Sequence, residues 1–250
     1  MNQILVSILA VIPGLAIAYW IYRMDKFEKE PPLHLVLCFV AGMLITIPAM
    51  FLEEQGAKLG WEESDGLFWI AMFAILIVAL SEEIVKFLVL ILYPYGQKFF
   101  NEPMDGIIYA VMISMGFATV ENVLYADRFG LETTITRAFT AVPAHAVFAI
   151  ISGYFVGLSK FNPEQKIKYL LLAFASPVLI HGTYNFFILQ NKYEWMMGLA
   201  IFVLGVSGFF AWQFIRKHQD DSPFKNPPLE TASTNPTSPC LLYTSPSPRD

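Results

Sequence analysis

Seven long apolar segments, separated by short polar connections, dominate the sequence. They cover residues 4–22, 33–52, 67–94, 105–126, 138–158, 169–189 and 196–215. A helix of about 20 apolar residues spans the roughly 30 Å hydrocarbon core of a bilayer. The pattern therefore predicts an all-α fold, a polytopic membrane bundle of about seven transmembrane helices.

Composition and charge agree with a membrane protein. Apolar residues make up 56% of the chain and charged residues only 15%, whereas soluble domains are about 25% charged. Lys and Arg are concentrated in alternate loops, with Arg23, Lys26 and Lys29 in the first and three lysines in the fifth. This bias predicts an N-terminus outside the cell membrane and a C-terminus in the cytoplasm.

The chain divides into one large domain and a tail. Connections within residues 1–218 are too short to hold a separate soluble domain. Residues 219–250 are rich in Pro, Ser and Thr, which predicts a disordered cytoplasmic tail. The run from Cys240 to Asp250 resembles translated sequencing-adapter sequence, so it is left out of the functional interpretation.

The third apolar segment carries two carboxylates and an ammonium, from Glu82, Glu83 and Lys86. Each such charge costs about 2.5–3.5 kcal/mol at the centre of an inserting helix. Glu82 and Lys86 are four residues apart and share a helix face, while Glu83 lies about 100° round. The spacing suits a structural ion pair, and it suits catalytic carboxylates equally well.

Three further segments carry polar groups of catalytic type. Glu121 lies in the fourth, His145 in the fifth, and His181 with Asn185 in the sixth. Counted from the predicted cytoplasmic ends, Glu82, His145 and His181 come out roughly 18–20 Å deep. Glu121 comes out about 24 Å deep. Groups with unrelated structural roles would scatter in depth, so we predict that these side chains form one shared site.

Two other charged residues have simpler interpretations. Asp105, near the start of the fourth segment, is expected to cap that helix. Arg137, just before the fifth segment, is expected to lie at the membrane interface with its guanidinium extended toward water. Neither is counted among the site residues.

Carboxylates, imidazoles and a carboxamide in a low-dielectric cavity suit the activation of water. A Glu in such a cavity can take a proton from water and return it to a leaving amine. A His or Asn can donate a hydrogen bond to the oxyanion that develops on a peptide carbonyl. Alternatively, two histidines and one glutamate could bind Zn²⁺ and leave one position open for water.

Several blocks of the sequence resemble the PrsW family of intramembrane proteases. Glu82-Glu83-Ile84-Val85-Lys86 resembles that family's Glu-Glu-x-x-Lys motif. Residues 105–109 and 116–122 resemble its second block, and His145-Ala146 and residues 181–185 its later histidine blocks. The family is distantly related to the CAAX prenyl-protein endopeptidases and the bacteriocin-immunity membrane proteins.

The resemblance implies an intramembrane endopeptidase that cleaves a membrane-anchored protein, with first-site cleavage of an anti-sigma factor as the known pattern. It implies no nucleic-acid partner. Carried onto this chain, the catalytic residues are Glu82, Glu83, Glu121, His145 and His181, with Asn185 as a weaker candidate.

Our leading hypothesis is that Glu82 or Glu83 activates water. In it, Glu121, His145 and His181 either orient that water or bind a metal ion such as zinc. A proton- or cation-coupled transporter is the alternative, because membrane carboxylates with a Lys also build ion relays. The segments show no inverted repeat of the kind many transporters have. A third hypothesis, an inactive interaction protein, is disfavoured because every family position is filled.

Overall fold

The computed structural model describes residues 3–61 and 66–225, and no strand occurs in these ranges. Its helices, in chain order, are α1 (Gln3–Met24), α2 (Pro32–Leu44), α3 (Thr46–Ala57), α4 (Leu67–Met72), α5 (Leu80–Leu92), α6 (Pro103–Phe139), α7 (Ala141–Phe161), α8 (Lys166–Leu189) and α9 (Met197–Asp220). A π-helical segment, Phe73–Ala79, joins α4 to α5. The all-α prediction is confirmed.

Within the described residues, five helical stretches are long and apolar enough to cross a membrane, so the chain is a multi-pass membrane protein. They are Gln3–Met24, Pro32–Ala57, Pro103–Phe161, Pro163–Leu189 and Glu194–Asp220. The predicted count of about seven spans is therefore not confirmed. One stretch contains both α6 and α7, and Gly130, with φ of 77°, breaks the helical path inside α6. The stretch 67–92 is divided by the π-helical segment and interrupted by charges.

Most of the predicted tail lies outside the described residues, including the adapter-like end. The tail was predicted to begin at residue 219, but helix α9 continues to Asp220. Two residues assigned to the tail are therefore helical.

Helix α6 lies at the centre of the bundle. Residues 104–119 of α6 are buried without interruption, and the helix packs against α1, α2 and α7. A helix that is apolar on all sides is stable only when other elements surround it. At its start, Glu102 and Asp105 form a capping box, which confirms the predicted capping role of Asp105.

Glycines let the neighbours of α6 approach until the backbones touch. A Cβ atom added at Gly116 would lie 1.9 Å from the Phe39 carbonyl oxygen of α2. One added at Gly42 would lie 1.9 Å from the Ile113 carbonyl oxygen of α6. Since backbone atoms cannot turn aside as a side chain can, this crossing needs glycine on both helices.

We expect Gly116→Ala to lower the free energy of unfolding by at least about 1–3 kcal/mol, because the added methyl group overlaps the backbone of α2. Thermal unfolding of the detergent-solubilised protein measures the change. Gly205→Ala in α9 is the matched control, since nothing lies within 4 Å of its added Cβ. Equal unfolding temperatures for the two variants would show that the α2–α6 crossing tolerates a side chain.

Candidate active site

The two adjacent glutamates stand at the start of α5, directly after the π-helical segment. A π-helical turn is wider than an α-helical one and recurs at functional sites. Helix α8 packs against this segment, and a Cβ added at Gly182 would lie 2.8 Å from Ile75 Cα. The close approach brings the preceding residue, His181, next to the start of α5.

Lys86 joins both glutamates and one histidine. Its Nζ donates to Glu82 Oε2 at 2.8 Å and to Glu83 Oε1 at 2.9 Å, and lies 3.2 Å from His145 Nδ1. The ammonium has three N–H donors, so each has an acceptor. All four side chains are buried. Lys86 therefore forms an ion pair with both glutamates.

The protonated nitrogen of His145 follows from these partners. An ammonium can only donate, so Nδ1 of His145 accepts from Lys86 and the ring proton sits on Nε2. That Nε2 lies 2.8 Å from Glu121 Oε2, which accepts its hydrogen bond. His145 is thereby held between α5 and α6 in one tautomer.

His181 has the opposite tautomer. Its Nδ1 donates to Glu83 Oε1 at 3.0 Å, because an ionised carboxylate can only accept. Its Nε2 then carries the lone pair and accepts from the Asn185 amide at 3.1 Å. The ring of Phe148 stacks on that of His181 with centroids 4.8 Å apart, which fixes the plane of the imidazole.

Arg137 belongs to the site, contrary to its expected place at the membrane interface. Its Nη2 lies 2.9 Å from Glu121 Oε2, and its guanidinium lies 3.9 Å from the centre of the Tyr125 ring. The backbone break at Gly130 places the residues after it beside those before it. Only the non-helical backbone at this glycine puts Arg137 next to Glu121.

A cavity of about 630 Å³ opens onto this network. Glu82, Glu121, His145, His181 and Asn185 all line it. Glu83 does not, and it faces a small internal space beside Lys86 instead. Of Glu82, Glu83 and Glu121, Glu121 is the most accessible, with a side chain 18% exposed against 5% for each of the other two.

Glu53 also lines the cavity, from α3. Sequence reasoning missed it because the second apolar segment was taken to end at residue 52. The helix continues to Ala57 and carries Glu53 over the cavity. The presence of a carboxylate within one turn of the end of an apolar segment was the available signal.

Glu82, His145 and His181 could together hold a metal ion. Each offers one ligand atom, and these atoms lie within 4.8 Å of one another. Two imidazole nitrogens and a carboxylate oxygen are a ligand set typical of catalytic zinc sites. Glu121, expected as the third ligand, pairs with Arg137, so this group contains Glu82 in its place.

Comparison with known proteins supplies the family. The family model described as "PrsW family intramembrane metalloprotease" matches residues 30–212. The chain belongs to the PrsW family. It is therefore an intramembrane protease, a hydrolase that acts on a membrane-anchored protein substrate within the bilayer.

Individual PrsW relatives match over most of their length. A protein named Protease PrsW from Geobacillus kaustophilus is 35% identical over 217 residues, 87% of this chain and 92% of that protein. Those from Clostridioides difficile and Bacillus subtilis are 36% and 32% identical, over 78% and 77% of this chain and 83% and 88% of their own. No solved structure gives a significant match.

PrsW membership confirms the resemblance found in the sequence blocks, and it decides for the protease over the transporter hypothesis. The structure also brings together every predicted site residue on α5, α6, α7 and α8. These are Glu82, Glu83, Glu121, His145, His181 and Asn185.

Replacing Lys86 by Met should leave two buried carboxylates side by side without their counter-charge. We expect the free energy of unfolding to fall by about 3–5 kcal/mol, the usual cost of removing one partner of a buried ion pair. Thermal unfolding in detergent measures it. Adding Glu83→Gln should restore part of the loss, because one buried charge disappears.

Lys168→Met is the matched control, since Lys168 is exposed and its Nζ donates to Gln165, three residues earlier in the chain. A surface change of this kind alters stability by about 0.5 kcal/mol or less. If Lys86→Met were as stable as Lys168→Met, the buried ion pairs would contribute nothing to the fold.

Proposed function

We propose that this site hydrolyses a peptide bond with Glu121 as the general base, and with Glu82, His145 and His181 as the group that holds a metal ion. The observation that carries the proposal is the single hydrogen-bonded network that lines one cavity. Four helices contribute to it, so a substrate segment in the cavity would meet all of its groups at once.

The chemistry of the donors supports a metal ion. His145 Nδ1 is bound by Lys86, and His181 Nε2 by Asn185, so each lone pair is available by exchange of one hydrogen bond. Zn²⁺ suits this set, and when bound such an ion polarises a carbonyl and lowers the pKa of water.

Glu121 is well placed to carry a proton. Its Oε2 accepts from His145 and forms an ion pair with Arg137, which leaves Oε1 for a water molecule in the cavity. In hydrolysis, Glu121 takes a proton from that water as the water oxygen attacks the peptide carbonyl carbon. It then returns the proton to the leaving nitrogen as the C–N bond breaks.

The remaining residues bind and orient. The amide of Asn185 faces the cavity and can donate to the developing oxyanion. Glu83 lies behind the cavity, bonded to Lys86 and His181, so we assign it a positioning role. Arg137 positions Glu121 by its ion pair.

For the substrate we propose an anti-sigma factor with a membrane anchor, as the PrsW resemblance implies. The cavity between membrane helices suits an extended segment of such an anchor, because apolar side chains of α3, α6 and α8 line much of it. The distribution of Lys and Arg among the loops supports an N-terminus outside and a C-terminus in the cytoplasm. Residues 1–218 then act as the protease domain.

Glu121→Gln should lower cleavage of a membrane-anchored anti-sigma-factor peptide by about 10²–10⁴-fold, because the amide cannot accept a proton. The assay uses the purified full-length protein reconstituted in liposomes. Glu132→Gln is the matched control, an exposed glutamate further along α6, and should leave the rate unchanged. Undiminished cleavage by a folded Glu121→Gln variant would rule out this base.

The metal ion can be tested by elemental analysis of the purified protein. We expect about one zinc ion per chain in the parent and loss of that ion in the double variant His145→Ala, His181→Ala, since two ligands are gone. Chelation should also abolish cleavage, and added zinc should restore it. A parent protein that cleaves its substrate while free of metal would select a mechanism based on glutamate alone.

A further inference from the structure

A second cluster of carboxyl groups lies away from the active site, around the start of α6. Its members come from the loop between α1 and α2 and from residues at the N-terminus of α6: Asp25, Glu28, Glu30, Glu102 and Asp105. Asp105 precedes Glu121 by 16 residues on the same helix, which separates the two sites by about 24 Å.

The cluster is buried and has no ionic partner. Asp25, Glu30 and Glu102 are each 1% exposed, and Asp105 is 0% exposed. The ion pairs found in residues 3–61 and 66–225 involve none of the five carboxylates. A buried carboxylate without a counter-charge is strongly unfavourable.

The two lysines nearby are already bound to carbonyl groups. Lys29 Nζ donates to the backbone carbonyls of Tyr22 and Asp25. Lys160 Nζ donates to those of Tyr95 and Gln97. Both ammonium groups therefore act on the cluster only at a distance, and neither forms an ion pair with one of its carboxylates.

In two of these carboxyl groups, N–H or O–H donors bind only one of the two oxygen atoms. Asp105 Oδ2 accepts from the backbone N–H groups of Asn101 and Glu102, at 2.6 and 2.9 Å. Glu30 Oε2 accepts from the Tyr109 hydroxyl. The second oxygens, Asp105 Oδ1 and Glu30 Oε1, are buried and accept from no N–H or hydroxyl group. The Glu30 and Asp105 carboxyl groups interact with each other, and such a contact requires a proton between them.

Three more buried oxygen atoms at this place have no hydrogen-bond partner. They are Asp25 Oδ2, Glu28 Oε2 and the amide Oδ1 of Asn101. Asp25 lies beside these groups but is not one of the three possible metal ligands. Its side chain is almost fully buried, it faces the charge of Glu102, and its Oδ2 has no hydrogen-bond partner.

We propose that this cluster binds a divalent cation, and that the cation is Ca²⁺. Glu28, Glu102 and Asp105 each offer a ligand atom within 4.8 Å of the others. Carboxylate and amide oxygens are the ligands that Ca²⁺ prefers, and it takes six to eight of them. Mg²⁺ suits the site less well, because it keeps several waters and this cluster is buried.

A bound cation would join three parts of the bundle. Glu28 lies in the α1–α2 loop and Asp105 on α6, while Glu102 Oε2 accepts from Ser222, just after α9. The cation would therefore hold one end of the protease together without touching the substrate cavity.

The test is calcium binding by the full-length chain in detergent after removal of metals with a chelator. Isothermal titration calorimetry should give one Ca²⁺ site per chain, and saturating Ca²⁺ should raise the Tm by about 5 °C or more. Mg²⁺ should bind at least about tenfold more weakly. The double variant His145→Ala, His181→Ala should bind Ca²⁺ as the parent does, which separates this site from the catalytic one.

Glu28→Gln is the diagnostic variant, because Glu28 is only partly buried and takes no part in the capping box of α6. It should weaken Ca²⁺ binding at least about tenfold, and Glu164→Gln, at an exposed glutamate between α7 and α8, should not. Asp25→Asn gives a second variant should Glu28→Gln fail to fold. Absence of Ca²⁺ binding in the parent, equal binding in folded Glu28→Gln, or Mg²⁺ binding as tight as that of Ca²⁺ would each overturn the proposal.

Discussion

The ammonium of Lys86 sits between two buried carboxylates and an imidazole, and the geometry of the active site depends on that contact. In a low-dielectric interior the attraction between these charges is strong, and so is the cost of leaving any of them unpaired. Because Lys86 can only donate, it determines which nitrogen of His145 carries the proton. The N–H group at that nitrogen donates its hydrogen bond to Glu121 on another helix. One charge thus orients groups on three elements.

The backbone around Lys86 makes the arrangement possible. The π-helical segment before α5 sets the direction in which Glu82 and Glu83 leave the helix, so that one faces the cavity and the other faces His181. Gly182 allows α8 to approach that segment to backbone contact. A side chain at this glycine would collide with Ile75 and push α8 away from that segment, and the hydrogen bond between Glu83 and His181 would be lost with it.

Most residues of this site could be predicted from the sequence, because charged side chains are costly in a membrane helix and therefore occur there at few positions. The common depth of Glu82, His145 and His181 was enough to predict that they meet. Rotation about a helix axis was not predictable in the same way, since a π-helical turn leaves no sign in the apolar pattern. Hence the different roles of Glu82 and Glu83 needed the structure. Arg137 was missed because its position depends on the backbone at Gly130.

The protein contains two clusters of buried carboxyl groups, and the negative charge is neutralised differently in each. In the active site, Lys86 and Arg137 supply fixed positive charge to Glu82, Glu83 and Glu121. At the start of α6, no Lys or Arg pairs with the described carboxylates, although the burial is as deep. A shared proton can neutralise one charge of the Glu30–Asp105 pair, but Asp25 Oδ2 and Glu28 Oε2 still have no partner. A cation with many oxygen ligands satisfies both the charge and the unpartnered oxygens at once.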